Sequence, residues 1–117
     1  MPPRWIEGAN GEVQRSAAHG IRAWTRAATG NLAGAEEDIG KVRSTRAPGS
    51  AALAHASLAE ALMLERAGDR AKLGALLRRD QRLLLASLDM RERSVIRAMQ
   101  RMLKAAATTV YRTQLDP

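Results

Sequence analysis

Apolar residues recur at helical spacing along most of the chain, and short polar breaks divide them into five predicted helices. Val13, Ala17, Ile21, Trp24 and Ala28 form the inward stripe expected of a first helix from about Gly11 to Thr29. Gly30 ends it, because the left-handed residue that closes a helix is usually glycine. Asn31 then stands where a side chain can cap the next helix, whose stripe is Leu32, Ala35, Ile39 and Val42. The run STRAPGS, Ser44 to Ser50, reads as a linker. A third helix is predicted from Ser50 to Ala67, with Leu53, Leu58, Ala61 and Leu62 facing inward. Gly68 and Asp69 repeat the stop and the cap, and a fourth helix carries Leu73, Leu76, Leu77, Leu83 and Leu84. Asp89 stands three residues before Glu92, the spacing of a capping box. It opens a fifth helix that places Val95, Met99, Met102, Leu103 and Ala106 on one side and frays among the last residues. The segment 1–10, with its prolines and glycines, is expected to be irregular, with Asn10 as the first N-cap.

Composition supports an all-α fold. Alanine, leucine and arginine are strong helix formers and abundant here, while β-branched residues are few. With two Trp, one Tyr and no Phe, the core must be built from small and aliphatic side chains. At 117 residues the chain is expected to form one helical domain over 11–117. Having no cysteine, it can hold no disulfide, thiolate zinc site or cysteine nucleophile. No apolar run reaches the length of a membrane span, and the first residues lack the apolar segment of a signal peptide. The expected location is the cytoplasm.

At one constant offset Gly30 falls on Gly68, Asn31 on Asp69, Ala18 on Ala56, Ala23 on Ala61 and Ala33 on Ala71. Both breaks therefore read as turns within antiparallel helix pairs, with small residues where the helices of a pair would cross. Ala23, Gly30, Asn31, Ala35 and Ile39, then Ala61, Gly68, Asp69 and Leu77, with Pro48 near the end of the first unit, resemble the tetratricopeptide repeat. The resemblance covers about residues 14–85. It implies stacked helical hairpins, closed here by a fifth capping helix, and a scaffold that grips peptides or proteins in a concave groove.

Candidate chemistry is sparse. His19 and His55 lie on different predicted helices, with no neighbouring carboxylate at ligand spacing, so both read as ordinary helix positions. Glu36, Glu37 and Asp38 read as a solvated face near a helix N-terminus rather than as catalytic carboxylates. GANGEV and ATGNLAG lack the strand, helix and lysine of a phosphate loop. No catalytic, cofactor-binding or metal-binding residue is assigned, and an enzyme is not expected.

Charge carries the one functional signal. Up to Glu65 the chain has seven basic and seven acidic residues; from Arg66 onward it has twelve and five, which supplies the whole net charge of +7. Arg93, Arg97, Arg101 and Lys104 share a helical stripe opposite the apolar one, and Arg78, Arg79 and Arg82 form a second cluster. These seven are the candidate interaction surface. A protein or peptide is the expected partner; an acidic or anionic lipid surface, or nucleic-acid phosphate bound without sequence preference, is the alternative.

Overall fold

The computed structural model describes the backbone of residues 4–115 and the side chains of residues 11–108. All regular structure among them is α-helical, in six helices: α1 (Arg4–Thr29), α2 (Leu32–Ser44), α3 (Ser50–Ala67), α4 (Arg70–Arg79), α5 (Gln81–Ser87) and α6 (Met90–Leu115). The all-α class agrees with the sequence reading, whereas the helix count is six rather than five. Asp80 divides the predicted fourth helix. It has φ −103° and ψ 11°, closing α4 and opening α5. Its carboxylate accepts from the buried Ser57 hydroxyl at 2.7 Å and from Arg79, so it caps neither helix. At the other end α1 already runs from Arg4, so the expected irregular start and the Asn10 cap are replaced by continuous helix. Gly8 and Gly11 each weaken a helix by about 1 kcal/mol relative to alanine but do not bar it.

The predicted punctuation is present at the atomic level. Gly30 and Gly68 hold φ 91° and 73°. Asn31 accepts from the Gly34 amide and Asp69 from the Lys72 amide, each at 3.1 Å. At the start of α6 the capping box closes in both directions, the Asp89 amide donating to Glu92 and the Glu92 amide to Asp89. Gly68→Val is expected to cost about 1 kcal/mol or more, because a β-branched residue resists the left-handed conformation. No neighbour lies within 4 Å of the added Cβ, so the Cβ itself meets no clash and the expected cost is that of the left-handed backbone. A thermal melt equal to that of the unmodified chain would refute it.

α3 packs against every other helix and is buried on two faces. One face is alanine: Ala52, Ala56 and Ala59 meet Ala23 and Ala27 of α1 and Ala35, Ile39 and Val42 of α2. The other presents Ala54, Leu58 and Ala61 to Leu73, Leu76 and Leu77 of α4, Leu84 of α5, and Ile96 and Met99 of α6. A helix apolar on two sides belongs inside. The crossing with α1 is close, since a Cβ on Gly20 would stand 3.0 Å from the Ala52 carbonyl oxygen.

That crossing corrects the expected inward face of α1. Ser16, Gly20, Ala23 and Ala27 are buried, while Val13 and Ile21 stay 45% and 52% exposed, Ala28 is exposed, and Ala17 and Trp24 are half-buried. Close packing selected the small stripe over the bulky one. Leu32, Leu53 and Met102 are likewise more exposed than their stripes implied, and Ile96, outside the predicted α6 stripe, is buried.

Candidate functional site

The basic residues of the C-terminal half do not all share one surface. Arg79 turns to Asp80, donating from Nε at 3.0 Å and Nη2 at 2.9 Å. It lines a depression with Glu60, Leu64 and Lys72, between α3 and α4. The Arg79 guanidinium holds the Asp80 carboxyl below the usual range against partial burial, and the Ser57 hydroxyl adds to the effect. Arg93 is half-buried, and its Nε donates to the Asp89 carbonyl at 3.4 Å. Arg82 is exposed on α5.

Arg78 behaves differently. Its guanidinium folds back over Gly74, whose added Cβ would lie 3.5 Å from Arg78 Nη1 and 3.9 Å from Leu103 Cδ1. With Leu77 and Gln81 it meets Gln100 and Leu103 in a depression of about 160 Å³ between the α4–α5 junction and α6. Arg97, Arg101 and Lys104 lie exposed along α6, on the side turned away from Val95, Ile96 and Met99. None of these three, nor Arg78, has a carboxylate partner among the described residues. The structure thus joins Arg78 to α6 and takes Arg79 out of the predicted set.

Sequence reasoning missed a second charged cluster. Asp38 is fully buried rather than solvated. Arg22 donates to it from Nη2 at 2.8 Å and from Nε at 3.0 Å, and Arg26 Nη1 donates at 3.0 Å. His19 Nδ1 stands 3.4 Å from the same carboxylate. Burial works to raise the Asp38 pKa, but the Arg22 and Arg26 guanidinium groups outweigh it, and the carboxyl is held below its usual range. The signal available was the spacing of Arg22 and Arg26, one turn apart on α1; nothing local ties them to α2. His55 also gains a carboxylate: its Nε2 meets Glu92 of α6, and its Nδ1 lies 2.9 Å from the Ala51 carbonyl.

A further depression, of about 370 Å³, lies between α2 and α3 and is lined by Glu36, Ile39, Gly40, Arg43, Glu60, Met63 and Leu64. Among the described residues no group of His, Asp or Glu side chains is arranged to hold a metal ion, and no helix is long and apolar enough to cross a membrane. No protein-family model matches the chain, and neither a curated protein nor a solved structure matches it.

Proposed function

We propose that the chain is a non-catalytic helical-repeat domain that binds or assembles other proteins, built of antiparallel helix pairs in the manner of tetratricopeptide repeats. The observation that carries this reading is the correspondence of two depressions. Ile39, Gly40 and Arg43 of α2 face Glu60 and Met63 of α3. At the equivalent positions of the next unit, Leu77, Arg78 and Gln81 face Gln100 and Leu103 of α6. The second hollow is the smaller of the two, and Arg78 stands where the first has Gly40. α5 then occupies the place that the linker fills in the first unit, which accounts for the extra helix.

Contacts along the helices agree with this arrangement. Residue numbers rise along α1 as they fall along α2, Arg22 meeting Asp38 and Arg26 meeting Gly34. The same holds for α3 and its follower, with Glu60 beside Leu76 and Ser57 bonded to Asp80. By contrast α1 and α3 run together, Gly20 lying against Ala52 and His55, and Arg66 donating to the Ala28 carbonyl. Such stacks expose long surfaces that suit extended or helical partners.

The second reading, polyanion binding, rests on the exposed Arg78, Arg97, Arg101 and Lys104. A helical-peptide library panned against the folded domain at physiological salt, beside heparin and duplex DNA columns, separates the two. Retained peptides competed off by soluble domain are expected, with both polyanions eluting below physiological salt because their attraction is largely counterion release. Arg97→Glu with Arg101→Glu should lower polyanion retention further while leaving the melt unchanged. Retention of DNA at physiological salt with no peptide retained would reverse the assignment.

A further inference from the structure

We infer that the basic face of α6 is the seat of an acidic amphipathic helix supplied by a partner protein, which docks on α6 as α2 docks on α1 and α4 on α3. This rests on the repeat reading above and names the partner's chemistry. The buried faces set the correspondence: Ala56, Ala59 and Met63 of α3 pack toward the preceding unit, and Ile96, Met99 and Leu103 do so on α6. In that register Ser57, Glu60, Ala61 and Leu64, the α3 positions turned to α4, correspond to Arg97, Gln100, Arg101 and Lys104. On α1 they correspond to His19, Arg22, Ala23 and Arg26, the positions turned to α2. The basic stripe of α6 therefore occupies the face on which each earlier long helix carries its follower.

The chemistry of the occupant follows from what holds the followers in place. Arg22 and Arg26 grip one carboxylate of α2, with distances of 2.8 to 3.1 Å. Ser57 donates to a carboxylate at the end of α4. Both seated helices thus present an aspartate to the helix beneath them. α6 offers three exposed cations at these positions without a carboxylate partner among the described residues, and Ala98 and Met102 are exposed beside them. A helix with carboxylates flanking a narrow stripe of small apolar residues would match both parts. A lipid surface or a nucleic acid would meet the cations but gives no reason for their register with the two occupied seats.

The test is a charge swap read by fluorescence anisotropy at physiological salt. The probe is a stapled amphipathic helix with an Ala/Leu stripe flanked by glutamates, beside versions carrying glutamine or lysine in their place. The unmodified domain should bind the glutamate helix, with affinity falling about tenfold or more for the glutamine helix. Arg97→Glu with Arg101→Glu should lose the glutamate helix by a similar factor and gain the lysine helix. Circular dichroism controls for folding; both arginines are exposed, so the helix content should hold. Equal binding of the glutamate and glutamine helices, or no gain of the lysine helix on charge reversal, would overturn the inference. So would competition by duplex DNA or anionic vesicles at physiological salt. A domain that retains library peptides but not this helix loses the α6 seat alone; a domain that retains neither loses the repeat-scaffold reading as well.

Discussion

Asp38→Asn is expected to lower stability by about 2–3 kcal/mol, seen as a fall of roughly 10 °C in the melting temperature. Removing one member of a buried ion pair typically costs about 3–5 kcal/mol, because the remaining charge is left uncompensated. Here the guanidinium groups of Arg22 and Arg26 keep partial contact with water, which moves the expectation below that range. The pH dependence has a definite sign. The folded Asp38 pKa lies below the unfolded value, so its contribution is fully present above the unfolded pKa and is lost as pH falls through the folded one. Acid titration of the unmodified domain should show a loss of stability below about pH 4 that Asp38→Asn reduces. An asparagine variant with unchanged midpoint and unchanged acid limb would show that the cluster does not hold α1 to α2.

Leu58→Ala should cost about 3–4 kcal/mol, toward the upper part of the range for buried leucines. Leu58 is fully buried among Ala54, Ala61, Leu73 and Leu84. The cost depends on how far the surroundings can close over the space left behind, and α3 has little freedom to move toward it. Its opposite face is held by the alanine contacts with α1 and α2, where Gly20 already approaches the Ala52 backbone. Urea denaturation would measure the effect as a lower midpoint at unchanged slope. A loss under about 1 kcal/mol would mean that the helices around Leu58 collapse freely and that the two cores are not mechanically linked.

Local signals were the legible ones. Gly30 with Asn31, Gly68 with Asp69, and Asp89 with Glu92 each act within a few residues, so spacing alone placed the helix ends. The inward face of α1 was not legible, because two apolar stripes adjoin on it. Only the tight approach of α3 selects Ser16, Gly20, Ala23 and Ala27 over Val13, Ile21 and Ala28. The break at Asp80 was hidden for a similar reason. LRRDQRL contains neither glycine nor proline, and the Asp80 carboxylate is drawn to Ser57 on another helix. Charge patterning found the α6 stripe but grouped Arg79 with Arg78, whereas consecutive residues on a helix point about 100° apart. Asp38 was misread because its sequence neighbours, Glu36 and Glu37, are exposed.

The placement of α3 between the two cores also governs how the chain opens. Exchange of its backbone amides with solvent requires both sides to come apart, so its central amides should exchange only through global unfolding. Along α6 no described residue beyond the half-buried Leu103 belongs to either core, so the amides at 104–108 need only a local opening to exchange. A partner seated on α6 would then slow exchange in a segment that opens locally, leaving α3 at the limit set by the whole domain.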